Sequence, residues 1–165
     1  MRSFDYNNSD MEKLVSVFSE ALSQIFEETG IKIIDIEDSE LPSTRKNEVI
    51  TSIGFTGKIK GTFILISTEK VAKKISDKML SNMQISANPK KFGPMNRAAI
   101  GEIANQISGR AMTILSTNNI ECDITPPTML TGNNIRIINT DTGVYRSKMV
   151  KIEGGILYIV IGMKN

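Results

Sequence analysis

Two hydrophobic rhythms alternate along this chain, and each change of rhythm marks a change of element. From Ser9 to about Thr29, Leu14, Phe18, Ala21, Leu22 and Ile25 recur at helical spacing, which predicts an amphipathic helix. Ser9 and Glu12 stand at capping-box spacing at its start, and Gly30 is a natural stop. Strand-like runs follow at Ile31 to Ile36, Glu48 to Phe55 and Gly61 to Ser67, with a polar loop around Pro42 and a turn over Gly57 to Gly61. A second helix begins at Ser67-Thr68-Glu69 and runs to about Leu80, and a polar linker spans Ser81 to Gly93.

The longest helical pattern runs from Pro94 to Asn118. Ile100, Ile103, Ala104, Ile107, Ala111, Ile114 and Leu115 gather on one face at about 100° per residue. The opposite face is nearly bare, holding Ala98, Glu102, Asn105 and Gly109. Surface helices ordinarily carry long polar side chains there, which favour the helix and keep it soluble. Gly109 and Gly101 each cost about 1 kcal/mol of helix stability relative to Ala, a cost that makes sense if another surface must come close to Glu102 and Asn105.

Beyond this helix, strands are predicted at Cys122 to Thr125, Asn134 to Asn139, Ser147 to Ile152 and Ile156 to Gly162. Pro126-Pro127 breaks the first from the rest, and Gly132-Asn133 and Gly154-Gly155 signal turns. Helices beside consecutive hairpin strands imply one α+β domain over residues 1–165, with a largely antiparallel sheet. The first helix carries Ser16, Glu20 and Ser23 at the spacing of Ala98, Glu102 and Asn105. That match, with β material after each helix, suggests two related halves, about 9–80 and 93–165.

Composition narrows the chemistry. Of 165 residues, 40% are apolar and 23% charged, ordinary for a soluble domain. A net charge of +2 and only 5% aromatic residues argue against nucleic-acid binding. With no His, the chain lacks a Ser-His or Cys-His pair and imidazole acid–base chemistry. A single cysteine, Cys122, offers neither an intramolecular disulfide nor a zinc cluster, so no metal site is expected in this chain. No stretch is long and apolar enough for a membrane span, and the first residues lack a signal-peptide core, so a reducing cytoplasm is the expected setting. Gly54, Gly57 and Gly61 do not have P-loop or dinucleotide spacing and are read as hairpin residues.

GEIANQISGRA, followed by DITPPT, resembles the CheX family of chemotaxis phosphatases and its relatives CheC and FliY. VITSIGFTGKIKGTFILIST is similar to the family's central strand pair, and the likeness runs from about Asp10 to the end. The resemblance implies hydrolysis of the aspartyl phosphate on a CheY-like response-regulator receiver domain, into whose active site the long helix inserts. By position, Glu102 would pair with the receiver lysine that contacts the phosphoryl group, and Asn105 would orient the attacking water. Ala98, Gly101 and Gly109 would then be partner contacts. The resemblance also implies a homodimer, with Mg2+ carried by the receiver and no cofactor in this chain. Ala98 stands where the family usually has Asp or Ser, and the family's proline corresponds approximately to Pro126 or Pro127. Ser23, in the place of Asn105, leaves the first half without the working carboxamide. A non-catalytic module that binds a receiver or flagellar-switch component is the alternative. Arg97 and Arg110 flank the bare face and Lys90-Lys91 precede it, a placement suited to steering toward an acidic pocket.

Overall fold

A computed structural model describes residues 8–42, 46–137 and 143–164 of the chain. Helix α1 spans Asn8–Thr29 and ends as the sequence predicts. Gly30 adopts φ +84°, and Ile31 N–H reaches the Phe26 carbonyl (2.8 Å) while Gly30 N–H reaches Glu27 (3.0 Å). These two bonds close the last turn in the way a left-handed residue just past a helix allows. The start differs from expectation: Ser9 lies inside the helix rather than in front of it. The Glu12 carboxylate accepts from the Asn8 side chain at 3.3 Å.

Strands β1 (Ile33–Ser39), β2 (Val49–Gly57) and β3 (Gly61–Ser67) precede α2 (Glu69–Asn82). The hydroxyl of Thr68 caps α2 by accepting from Val71 N–H at 3.2 Å. Helix α3 spans Pro94–Ser116, and β4 (Cys122–Ile124), β5 (Thr128–Thr131), β6 (Val144–Ile152) and β7 (Gly155–Met163) complete the chain. Every pairing is antiparallel, in the order β1-β6-β7-β3-β2-β4, with β5 also paired to β2. The expected α+β class with a largely antiparallel sheet is therefore what forms.

Strand alternation divides the apolar residues between two faces. Val49, Phe55, Phe63, Leu65, Leu157, Ile159 and Ile161 point toward the three helices and build the main core with Phe18, Leu22, Ile75, Ile103 and Ile107. Phe63 stacks on Phe18 with ring centroids 4.9 Å apart. The in-between residues Ile50, Ile66, Tyr158 and Val160 form a second cluster on the opposite face, with Leu41, Ile135 and Ile137 packed over it. Gly57, at φ +149°, lets β2 run close against the start of β4, where a Cβ would collide with the Glu121 carbonyl.

The strand predicted at Asn134 to Asn139 does not form over its described part. Among the described residues of Asn134 to Asn139, positions 134–137 pair with no strand, and 138–139 lie outside the description. The physical reason is Asn47, a buried side chain whose amide donates to the Pro42 carbonyl and to Ile135 O (3.0 Å). Ile135 N–H donates in turn to Asn47 O at 2.9 Å, and Asn134 sits at φ +51°. With both backbone groups of Ile135 engaged there, the segment folds over the second face as a loop. The strand that does form, β5, lies directly after Pro126-Pro127, where none was expected. It continues the sheet edge along β2, with Thr128 opposite Ser52 and Thr131 opposite Val49.

Candidate functional site

Helix α3 begins with the chain geometry that suits a helix start. Gly93 is extended at the N-cap and Pro94, which has no N–H to leave unsatisfied, occupies the first turn. Asn96 accepts from Gly93 N–H (3.2 Å) and donates to Ser76 Oγ and Asp77 Oδ1 (both 2.8 Å). Asp77 also receives Lys73 Nζ at 2.8 Å, and that ammonium donates to the Asn88 carbonyl. Asn96 is 1% exposed, so this network fixes the start of α3 against α2 from within. Nothing in the sequence pattern marked it.

The predicted buried stripe is buried. Ile100, Ile103, Ala104, Ile107, Ala111 and Leu115 lie in the interior, and Ile114 is half-buried. The opposite face is open: Ala98 and Glu102 are exposed, and Gly101, Asn105 and Gly109 are partly exposed. Glu102 and Asn105 stand three residues apart, about 4.5 Å along the axis. Gln106 Nε2 donates to Glu102 Oε1 at 3.2 Å. Among the described residues no hydrogen bond ties down the carboxamide of Asn105. Acceptor and donors of that amide are thus available to an incoming ligand.

Neither glycine of this face is required by the chain's own packing. A Cβ at Gly109 would meet nothing within 4 Å, and at Gly101 it would make an ordinary contact with Pro127 Cγ at 3.7 Å. The helix therefore carries about 1 kcal/mol of destabilisation at each without an internal steric reason. Gly101, Glu102 and Asn105 line a groove of about 610 Å³ whose far side is Pro127, Met129 and Thr131. Pro127, read with its neighbour as a break after a short strand, thus faces the predicted pair.

The flanking cations divide. Arg97 lines the groove, its guanidinium touching the Phe92 carbonyl at 3.3 Å. Lys90 and Lys91 are exposed ahead of the helix. Arg110 is engaged elsewhere: it donates to Gln24 Oε1 and pairs with Glu28, both at 2.9 Å. It ties α3 to α1. A free steering role, as the flank position suggested, does not describe it.

On α1, Ser16 and Glu20 are exposed and Ser23 is partly so. Gln24 donates to Glu20 at 3.2 Å, the counterpart of the Gln106–Glu102 pair. The Ser23 hydroxyl donates to the Ser19 carbonyl at 2.9 Å, turned back onto its own helix. Among the described residues no group of His, Cys, Asp or Glu is arranged to hold a metal ion, and no helix is long and apolar enough to cross a membrane.

The family described as "Chemotaxis phosphatase CheX" matches residues 49–147. A protein of Thermotoga maritima named "CheY-P phosphatase CheX" is 30% identical over 91 residues, 55% of this chain and 56% of that relative. The match thus spans just over half of the relative's length. Among solved structures, a CheC-like superfamily protein from Shewanella sp. PV-4 superposes with a TM-score of 0.78 at 22% identity, covering 93% of this chain and 98% of that one. A CheX-CheY-BeF3-Mg2+ complex from Borrelia burgdorferi gives 0.72 at 20% identity, covering 92% and 97%. At such identities the structural likeness speaks for the fold.

Proposed function

Because the chain belongs to the CheX family of chemotaxis phosphatases, we propose that it hydrolyses the aspartyl phosphate of a CheY-like receiver domain, with Asn105 and Glu102 as the working pair. The observation that carries this reading is the face of α3. It presents one carboxylate and one unengaged carboxamide between glycines that the chain itself does not need. The relative named a CheY-P phosphatase and the solved CheX-CheY complex support the choice of partner.

Hydrolysis of an acyl phosphate demands positioning and charge compensation more than covalent help. Water attacks phosphorus, the bond to the receiver's carboxylate oxygen breaks, and inorganic phosphate leaves with the carboxylate restored. The receiver supplies its own lysine and Mg2+. The Asn105 carbonyl accepts from the water while its NH2 donates to an acceptor beyond, which fixes the line of attack. Glu102 pairs with the lysine and registers the helix in the pocket. Fixing a nucleophile's geometry lowers a barrier by several kcal/mol without any change of protonation state, so a chain with no His is suited to the task.

The same reading makes the chain a cytoplasmic homodimer built from two related halves. The strand order supports the halves: exchanging β1, β2 and β3 with β4, β6 and β7 returns the same order reversed. The matching Gln24–Glu20 and Gln106–Glu102 pairs support them too.

The test is phosphate release from a phosphorylated receiver by wild type and by Asn105→Ala. Release well above the receiver's own decay is expected for the wild type and lost in the variant; equal rates sink the reading. One observation favours docking without hydrolysis, namely that Ala98 brings no polar group to brace Glu102 or meet the partner. That alternative predicts tight receiver binding, no acceleration, and indifference to Asn105→Ser.

A further inference from the structure

The groove beside Glu102 and Asn105 has two walls of different chemistry. The α3 side carries the carboxylate, the carboxamide and Arg97; the far side, Pro127, Met129 and Thr131, carries no charge. Between them lies a floor almost without side chains, formed by Ala98 and Gly101. Since a Cβ at Gly101 would fit against Pro127 at ordinary contact distance, the bare floor is not what lets the two walls pack. Its effect is to leave the space between them open. The far wall is built by register. Met129 lies opposite Thr51 and Thr131 opposite Val49, so both point to the helix side of the sheet, whereas Leu130, opposite Ile50, points away. Met95, on the same side of α3 as Glu102 and 45% exposed, adds an apolar group to the helix face outside the groove lining.

Resting on the phosphatase reading above, we propose that β5 is the second half of the partner interface. An extended loop at the rim of the receiver's phosphorylation pocket lies along Ala98 and Gly101. An apolar side chain of that loop packs against Pro127 and Met129, while α3 reaches the phosphoryl group. The groove is continuous with Glu102 and Asn105, so whatever brings a phosphorylated carboxylate to that pair also brings its surroundings to β5. An uncharged wall discriminates by penalty: a rim residue bearing a charge would be desolvated against Met129 without a partner. The β5 wall therefore adds to which receiver is held and how tightly, while Asn105 on α3 sets how fast the bond breaks.

The experiment measures phosphate release over a range of phosphorylated receiver concentrations, using the full chain. Met129→Gln and Thr131→Arg are each expected to raise KM about tenfold with kcat within about twofold, the pattern of a lost docking contact. Thr131 is exposed, so its variant keeps the test open should Met129→Gln fold poorly. Gly101→Met fills the floor and replaces a helix-interior glycine, and is expected to raise KM without lowering the melting temperature. Unchanged KM in all three, with Asn105→Ala inactive, overturns the β5 interface and leaves the α3 reading standing. A fall in kcat at constant KM overturns it as well, because the wall would then act on chemistry rather than docking. Asn105→Ala as active as wild type overturns the reading on which both rest.

Discussion

The carboxamide of Gln106 reaches back one helical turn to the carboxylate of Glu102, Nε2 to Oε1 at 3.2 Å. Such a pair at i and i+4 stabilises an exposed helix by about 0.2–0.5 kcal/mol. Its larger consequence is directional, since it biases a freely rotating carboxylate toward one pose on the open face. Gln106→Ala should leave stability within about 0.5 kcal/mol of wild type and lower kcat/KM roughly two- to threefold. Gln106→Glu should lower it further, because a second carboxylate beside Glu102 repels it. Denaturant titration together with receiver dephosphorylation kinetics checks both parts.

Gly109 separates fold from function by sign. Its missing Cβ would project into open space, so Gly109→Ala should raise stability by about 0.5–1 kcal/mol. If a partner's rim comes close there, the more stable variant should be the poorer phosphatase, and Gly109→Gln poorer still. Thermal melts and phosphate release on the same preparations measure the two effects. A stabilised variant with undiminished activity would remove the partner from this part of the helix.

Asn96 should behave in the opposite way. Its amide is buried and satisfies Ser76, Asp77 and Gly93 together. Asn96→Leu leaves those groups without it and should cost about 2–4 kcal/mol, as expected when buried polar groups lose their partner. Urea denaturation gives the number. Receiver affinity measured well below the unfolding transition should fall much less than stability does.

The readable and unreadable parts of the molecule divide by range. The buried stripe and open face of α3 follow from spacing along a single helix, so Glu102, Asn105 and both glycines are found where periodicity puts them. The end of α1 at Gly30 and the cap at Thr68 are equally local. What escaped depends on distant partners. Arg110 looks like a free flank cation until Gln24 and Glu28, more than eighty positions earlier, are folded beside it. Ile135 belongs to a strand-like run, yet Asn47 captures its backbone from 88 positions away. β5 is four residues long and sits against two prolines, too short for alternation to register. Met129 and Thr131 went unmarked for the same reason, although they complete the groove.

The open face of α3 is built largely from residues with no rotamers to freeze. Alanine and glycine lose no side-chain entropy when a surface lands on them, whereas the lysines and glutamates usual on a helix would each surrender up to about 2 kcal/mol. The arginine clamp to α1 and the asparagine lock to α2 have already set the rod's position. Association with such a rod demands little ordering, so an encounter can be correctly aligned without being long-lived. On the proposed reading, such brief and accurate visits suit a substrate that is itself a protein, to be let go and met again.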